Sequence, residues 1–541
     1  MTNTMFPKRL GVTFFLCAIA LAPCARAEVR LASPFTSHMV LQRDMKVPVW
    51  GTADVGETVT VEFAGQKISA QADANGNWRA DLKPLKVSAE SRTLTVTGSH
   101  TAQPVVLDDV LVGEVWLASG QSNMDFSMSD KALDSMGKAK YFAGVTNAEQ
   151  EIAAANYPLI RMFVGNACKA YKPQMCVTGA WEVCTPETAP AFCAVGYFFA
   201  RDLQREIKVP VGIIAEAFGA STAEAWIDRE TMANDPQLKP MLDRFDAAVE
   251  SFRTNRPAVV APPRSEDVNA TNEVVAATNA PAAGTNAAAR GSRRRGPSGP
   301  RDPVQDQHNA TVLFNGMIHP VIPFAIRGVI WYQGESIIDA NKGGIALYPH
   351  VQAALIRDWR ALWGEGDFPF YIVQLPGQEA ASNSPWVREA QATVLSLPNT
   401  GMAVITDIGE AHNVHPKNKQ DVGDRLSRIA LANVYGRKLE YSGPAYKSMK
   451  VQGGAIRVKF SHLGGGLVAR GGEPLKWFEI AGADKKFVPA VAKIDGDTVV
   501  VSSPDVAAPV AARYAWVNFP DCCNLFNAAG LPAAQFRTDN W

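Results

Sequence analysis

The chain has 541 residues. This is too long for a single domain with one hydrophobic core, so we expect two to four domains. Its content of 47% hydrophobic and 20% charged residues is typical of a soluble globular protein. The 53 basic and 53 acidic side chains balance at pH 7, which gives no broad electrostatic field for binding nucleic acid or acidic polymers.

Residues 1–27 have the layout of a secretory signal peptide. Two basic residues precede an apolar run at 10–22, and a small-x-small cleavage site follows at 25–27. The apolar run is too short to make a convincing membrane span. A lipoprotein signal at Cys24 is an alternative, although the proline before this cysteine argues against it. We therefore predict an exported protein, periplasmic or extracellular, without a membrane span.

Both ends of the remaining chain predict β-structure. Residues 28–107 contain short alternating runs such as 58–63, separated by turns rich in Gly, Asn and Asp, and they predict a small β-sandwich. Residues 439–541 return to strand-like runs, for example at 455–460 and 498–502. We expect a second β-domain there.

Residues 108–438 alternate apolar strand patterns with helical patterns, and the clearest helices are predicted at 194–207 and 348–363. This alternation predicts an α/β domain built on a parallel sheet. Residues 255–305 break the pattern, because they are rich in Ala, Pro, Asn, Thr and Gly and have no apolar period. We interpret them as a disordered insertion within the α/β domain.

Six cysteines remain after residues 1–27, namely Cys168, Cys176, Cys184, Cys193, Cys522 and Cys523. An even number in an exported protein predicts disulfides. The first four are close enough in sequence to pair with one another, and the adjacent last two can form a vicinal disulfide or pair elsewhere. Zinc binding is the alternative, but both C-x-x-C spacing and a nearby histidine are missing, so no metal is expected.

One segment ends an apolar strand in a candidate nucleophile. Residues 113–124 read as a buried strand that ends in a tight turn at Ser122, and Asn123 is expected to open a helix. A serine in such a turn lies at the carboxyl edge of a sheet, where α/β enzymes carry out their chemistry. The alternative is structural, because Ser122 with Asp125 is also a helix-capping pattern.

Two later segments, 328–336 and 402–419, also end a predicted strand in polar residues. Ester hydrolysis requires a nucleophile, donors for the oxyanion and a base that is poised near neutral pH. Histidine meets the last requirement best. Of the eight histidines, His412 and His415 follow a predicted strand end, as Ser122 does.

The wording of four blocks resembles the sialate O-acetylesterase family of the SGNH-hydrolase superfamily. The blocks are Gly-Gln-Ser-Asn-Met at 120–124, Phe-Gly-Ala at 218–220 before Glu-Ala-Trp at 224–226, Trp-Tyr-Gln-Gly-Glu at 331–335 and His-Pro-x-x-Lys at 415–419. The second block departs from the family, which has Trp-Gly-Gly. The resemblance runs from residue 29 to the end apart from the insertion, and it implies an SGNH-hydrolase-like parallel-sheet catalytic domain.

This resemblance implies roles for individual residues. Ser122 is expected to be the nucleophile, and His415 the base, because it stands in the His-Pro block. The backbone N–H groups of Ser122 and Gly219 and the side-chain amide of Gln333 are expected to form the oxyanion hole. Glu335 is expected to buttress its loop, with a surface position as the alternative.

The acid that orients the base is missing from its usual place. Much of the superfamily has an aspartate three residues before the histidine, but here that residue is His412. Asp407 or Glu410 could hold the imidazole through its other nitrogen. Asp407 is equally explained as a turn residue at a strand end. We favour a Ser-His dyad, or a third member in an unusual position, for which Asp407 is the candidate.

The predicted function is that of an exported serine esterase that removes O-acetyl groups from sugars, with O-acetylated sialic acids as the expected substrates. The alternatives are an esterase acting on plant polysaccharides such as xylan, and a non-catalytic carbohydrate-binding protein. An α/β-hydrolase lipase is disfavoured, because Met124 stands where G-x-S-x-G requires glycine. Trp386 and Arg388 either face the sugar or belong to a helix face. The O-acetylated glycan is the one partner expected, no cofactor is needed, and the oligomeric state is left open.

Overall fold

The computed structural model describes residues 28–132, 140, 142–254, 301–338 and 342–541. The predicted signal peptide, 1–27, lies outside the described residues, as does the 255–300 part of the predicted insertion. Residues 301–305 are described, and Pro303–Gln305 form a 3-10 turn in which Val304 is buried. Residues 301–305 therefore belong to the folded domain, and the prediction that the insertion extends to residue 305 is wrong at this end.

The N-terminal region consists of strands. They are β1 Arg30–Leu31, β2 Val40–Gln42, β3 Val47–Thr52, β4 Thr58–Phe63, β5 Gln66–Gln71, β6 Asn77–Leu82, β7 Ser88–Gly98 and the first half of β8 Val105–Gly120. Strands β1, β3 and β6 form one sheet, while β4, β5 and β7 join β8 in the other. Alternating buried and exposed residues along β4 and β6 show that each strand covers a core with one face.

The central sheet lies between two layers of helices. Its further strands are β9 Tyr157–Gly165, β10 Gly179–Cys184, β11 Val211–Ala217, β12 Gly328–Tyr332, β13 Phe370–Val373 and β14 Thr400–Ala403. The order is β10-β9-β11-β8-β12-β13-β14, and every neighbouring pair is parallel except β10 with β9. The sheet therefore brings the carboxyl ends of β11, β8 and β12 side by side.

The helices are α1 Ala148–Ala153, α2 Ala194–Ile207, α3 Arg229–Asn234, α4 Lys239–Thr254, α5 Glu335–Ile338, α6 Lys342–Trp363, α7 Ser384–Ala392 and α8 Gln420–Asn433. Helices α2 and α8 pack together over one face of the sheet, and α6 covers the other. The helix predicted at 194–207 is confirmed, and the one predicted at 348–363 begins six residues earlier. No helix in the described ranges is long and apolar enough to cross a membrane.

Strand β8 joins the N-terminal strands to the central sheet without a linker. Its first half pairs with β7 and β2, and its second half with β11 and β12. One hydrophobic core accordingly runs from Val49 and Trp78 of the N-terminal region to Trp331 and Trp359 under the central sheet. The boundary expected between residues 107 and 108 falls inside this strand.

The C-terminal region is built on a hydrophobic core of its own. Its strands are β15 Ala445–Gln452, β16 Ala455–Ser461, β17 Leu467–Ala469, β18 Phe478–Ala481, β19 Phe487–Pro489, β20 Val491–Asp495, β21 Thr498–Ser502, β22 Ala511–Tyr514, β23 Leu525–Asn527 and β24 Phe536–Arg537. They form two four-stranded sheets, β15-β16-β21-β20 and β19-β18-β22-β24, and a small β17-β23 pair.

None of the predicted disulfides is seen in the structure, where the six cysteines 168, 176, 184, 193, 522 and 523 are free thiols. Two of them are used as buried apolar groups. Cys184 donates to the Ala155 carbonyl, and the Cys193 sulfur caps α2 by accepting from the N–H of Gly196. Burial raises the pKa of Cys193 to about 11, which keeps this thiol protonated.

Candidate active site

Three turns leave neighbouring strands at the same edge of the central sheet. Gly120, the last residue of β8, is in register with Ala217 of β11 and with Tyr332 of β12. Ser122, Gly219 and Gln333 therefore follow three adjacent strands by one or two residues. The parallel register, more than any local feature, brings together the side chain and backbone groups that the sequence nominated.

Two glycines allow the close approaches that this edge requires. Gly120 has φ +141°, and a Cβ there would lie 2.1 Å from the carbonyl oxygen of Tyr332. A Cβ on Gly219 would lie 2.5 Å from the ring of Phe142. That ring in turn packs against the imidazole of His415, with centroids 4.5 Å apart. Glycine at 219 thus leaves room for an aromatic ring that supports the base.

The turn that contains Ser122 is not the start of a helix. After β8 the chain makes one turn, in which the N–H groups of Met124 and Asp125 donate to the Gln121 carbonyl at 2.8 and 3.0 Å. The helix predicted from Asn123 is absent. The chain continues from this turn through a bend, and Ser127 then bridges to Ala143 and Cys193. The capping interpretation of Ser122 therefore does not apply.

Ser122 and His415 are in direct contact. The Ser122 Oγ and the His415 Nε2 are 2.7 Å apart, a hydrogen-bond distance between residues 293 positions apart in the sequence. Ser122 is only 3% exposed, whereas His415 is half-buried. This is the geometry in which a neutral imidazole accepts the proton of a serine hydroxyl.

The loop that carries His415 is held by side chains. The Asn413 amide accepts from the backbone N–H of His415 at 3.0 Å and donates to the His415 carbonyl at 2.9 Å. Glu410 accepts from the same amide at 2.9 Å and from the Lys417 N–H at 2.7 Å. Glu410 therefore acts on His415 through Asn413 and not through the imidazole.

Asp407 does not reach the base. Its two carboxylate oxygens accept from the guanidinium of Arg425 at 2.6 and 2.7 Å, and both side chains are buried. It lies in the 3-10 turn Thr406–Ile408, beyond strand β14. In the described part of the chain, no hydrogen bond to the Nδ1 atom of His415 is found. The arrangement brought together is therefore a pair, Ser122 and His415.

The side chain of Gln333 contacts the loop that carries Gly219 and Ser221. Its side chain is fully buried, and its Nε2 donates to the Ser221 carbonyl at 3.2 Å. The hydroxyl of Tyr348 donates to its Oε1 at 2.9 Å, so the amide nitrogen is directed towards the loop that carries Gly219. The loop of Gln333 is also tied to the turn of Ser122, because the Gln121 side chain accepts from the N–H of Gly334 at 3.2 Å.

Other residues nominated from the sequence have partners of their own. The side chain of His412 is 85% exposed and pairs with Glu379 at 3.5 Å. Arg388 is fully buried and donates to Gln535 at 2.6 Å, so it ties α7 to the C-terminal region and does not face a sugar. Trp386 packs edge-to-face on Trp516, with centroids 5.3 Å apart.

The surroundings of His415 favour the neutral form of its imidazole. Burial, together with the positive charge of Lys419, lowers the pKa of His415 to about 4. Burial also lowers the pKa of Lys419 to about 7, although the charges of Glu335 and Glu410 oppose this shift. A histidine with such a low pKa is the free base throughout the neutral range, which is the form that can accept a proton.

Sequence reasoning missed Gln121, Phe142 and Asn413. Gln121 belongs to the Gly-Gln-Ser-Asn-Met block, so its position in the motif was the available signal. Phe142 and Asn413 belong to no block, and only the packing of loops around His415 reveals them.

The chain is similar to known carbohydrate esterases. The family described as carbohydrate esterase, sialic acid-specific acetylesterase, matches residues 307–432. The chain is 26% identical to the sialate O-acetylesterase of Mus musculus, over 97% of this chain and 98% of that protein. It is 27% identical to the sialate O-acetylesterase of Homo sapiens, over 94% and 92% of the two chains.

A solved structure is similar over the whole molecule. A carbohydrate acetylesterase from Xanthomonas citri is 35% identical, with a TM-score of 0.75, and the similarity covers 95% of this chain and 100% of that one. The fold and these similarities define an enzyme, a carbohydrate O-acetylesterase. More narrowly, the chain belongs to the sialate O-acetylesterase family.

Proposed function

We propose that the enzyme is a serine esterase that works through an acetylated Ser122. The observation that carries this proposal is the 2.7 Å contact between Ser122 Oγ and His415 Nε2. No carboxylate accompanies the imidazole in the described residues, so the mechanism is that of a Ser-His dyad.

The reaction has two halves. His415 Nε2 takes the hydroxyl proton as Ser122 Oγ attacks the acetyl carbonyl, and the imidazolium returns that proton to the sugar oxygen when the ester C–O bond breaks. Water then attacks acetyl-Ser122 while His415 again accepts a proton. Acetate leaves, and the proton returns to the Ser122 oxygen.

The oxyanion of each tetrahedral intermediate needs donors at the same edge. We propose the N–H groups of Ser122 and Gly219 and the Nε2 of Gln333, since their turns leave adjacent strands in register. Three such turns on neighbouring parallel strands also support an SGNH-hydrolase type of catalytic domain. Loss of one donor of this kind typically costs about 10²–10³ in turnover.

For the substrate we propose O-acetylated sialic acids. The family description and the curated relatives, which are sialate O-acetylesterases, support this choice. An acetylated polysaccharide such as xylan is the second candidate. It stays a candidate because the solved structure with 35% identity is described only as a carbohydrate acetylesterase, without a named sugar.

The test is acetate release by wild type and by Ser122→Ala from O-acetylated sialic acid and from acetylated xylan. We expect the variant to fold normally by circular dichroism and to lose at least about 10³ in turnover. A folded variant within tenfold of wild type would remove Ser122 as the nucleophile. The ratio of kcat/KM for the two wild-type substrates decides between the sugars.

We also propose that the protein is exported after cleavage behind Ala27, as the basic, apolar and small-residue layout of residues 1–27 suggests. The mature N-terminus, sequenced from protein expressed with its leader, should be Glu28. A retained leader in a cell that exports other proteins would contradict the proposal.

A further inference from the structure

Three sequence blocks each contribute a second polar residue that the acetyl-transfer steps leave unused. Besides Ser122, Gln333 and His415, the blocks contain Asn123, Glu335 and Lys419. All three of these additional side chains are buried, at 0%, 9% and 1% exposure. Buried charged groups are rare unless they are paired, so their meeting behind the dyad needs an explanation.

Asn123 is the centre of this group. Its Nδ2 donates to Glu335 Oε1 and, at 2.9 Å, to the backbone carbonyl of Val414. Its Oδ1 accepts from the Nζ of Lys419. Asn123, which follows Ser122, is therefore tied to Val414, which precedes His415. One acidic and one basic side chain hold its amide in one orientation.

The ammonium of Lys419 is further enclosed by aromatic rings. Its Nζ lies 4.6 Å from the ring centroid of Phe126 and 5.4 Å from that of Tyr332. Both rings belong to the segments that carry Ser122 and Gln333. Lys419 is the last residue of the loop that carries His415 and directly precedes α8. Its side chain therefore connects the end of this loop to the segment after Ser122.

We propose that Lys419, acting through Asn123 and Glu335, is a positioning residue that replaces the orienting acid of a triad. In a triad, the acid bonds the imidazole and fixes its direction. In this enzyme the network fixes the Val414 carbonyl, and hence the backbone that presents His415 to Ser122. The proposal rests on the serine mechanism proposed above.

The network also has an electrostatic consequence that a purely structural role would lack. The charged or ionisable groups around Lys419 are Glu335, Glu410 and Cys193, and the charge that acts on His415 is that of Lys419 itself. Removal of the lysine charge should let the pKa of His415 rise. Because the neutral imidazole is the active form, the acid limb of kcat/KM should then move to higher pH.

The experiment compares Lys419→Met, which removes the donor and the charge, with Lys419→Gln, which keeps an N–H donor without the charge. Lys417→Met is the matched control, since Lys417 is in the same loop but its side chain is exposed. For Lys419→Met we expect kcat at pH 8 to fall about 30- to 100-fold with KM within about threefold. Its acid limb should rise by about one pH unit. Lys419→Gln should recover part of kcat but not the acid limb, and Lys417→Met should match wild type.

The rate at which a serine-directed organophosphate labels Ser122 reports nucleophile activation without any sugar. It should fall in Lys419→Met in parallel with kcat. The network has no positioning role if kcat of Lys419→Met stays within threefold of wild type. The same conclusion follows if kcat falls only in proportion to the folded fraction and the acid limb of the pH profile does not move. If Lys419→Met does not fold, Lys419→Gln decides by its acid limb. Failure of the serine mechanism is distinguishable, because Ser122→Ala would then keep its activity and wild-type Ser122 would not be labelled.

Discussion

The Ser122 Oγ and the His415 Nε2 are 2.7 Å apart, yet different kinds of structure hold the two residues in place. Ser122 follows the central strand β8, which is paired on both sides by β11 and β12 up to its last residue. His415 lies in an irregular loop between β14 and α8, and side chains hold it in place, above all those of Asn413 and Asn123.

This difference indicates which substitutions should displace Ser122 and which should displace His415. Backbone ladders place the nucleophile, so few side-chain substitutions outside Ser122 should displace it. The base depends on a small number of amide and carboxylate contacts, and a shift of about 1 Å in such a group can cost about 10² in rate. The following predictions test this contrast.

His415→Ala should have the largest effect, a loss of at least about 10³ in kcat, because it removes the one base in contact with Ser122. His412→Ala is the matched control and should stay within about twofold, since its side chain is 85% exposed. Steady-state kinetics on an acetyl ester measure both. The assignment of the base is wrong if the two variants exchange these outcomes.

Asn413→Ala should reduce kcat by about 30-fold with little change in KM, because the His415 backbone loses both bonds of its clamp. The melting temperature should change little, since the loop is outside the main cores. Crystallography of the variant should reveal a displaced imidazole. Turnover equal to wild type would mean that the clamp is redundant and that the contrast between the two halves is overstated.

Asp407→Asn should separate stability from catalysis. Among the described residues, removing the charge of Asp407 leaves the buried Arg425 guanidinium with only the more distant and more exposed Asp421 carboxylate, at 3.7 Å, within ion-pair distance. This loss should cost about 3 kcal/mol of unfolding free energy. Turnover should stay within about tenfold, because Asp407 does not contact His415. Denaturant unfolding and kinetics on the same preparation test both parts. A thousandfold loss of kcat in a stable protein would instead make Asp407 the third member of a triad.

Much of the fold could be predicted because its signals are local. The apolar run before Ser122 and the helix at 194–207 follow from hydrophobic periodicity over a few turns. The predicted start of α6 was six residues too late, since the glycines near its true beginning are weak helix formers and tertiary packing overrides that preference. The helix expected at Asn123 is absent for a similar reason, because Ser127 bridges to Ala143 and Cys193, which are distant in the sequence or in another loop.

The site divides along the same line. The residue types required for ester hydrolysis, and the motifs that contain them, were available from the sequence. The partner of Asp407 could not be predicted from the sequence. Nothing in the neighbouring residues distinguishes a carboxylate that pairs with Arg425 from one that orients a histidine. The cysteine count likewise predicted disulfides, whereas packing buries Cys184 and Cys193 as thiols in the core around α2.

The sequence by itself determined the α/β alternation, the strand ends that carry Ser122 and Gln333, and the family to which the chain belongs. Those properties depend on residue types and spacing within short segments. Only the tertiary structure decided that Ser122 meets His415, that Asn123 meets Lys419 and that Asp407 turns away from the base. The first two are contacts across 293 and 296 residues, and they form because the parallel register of the sheet and the packing of α8 bring distant loops to one edge.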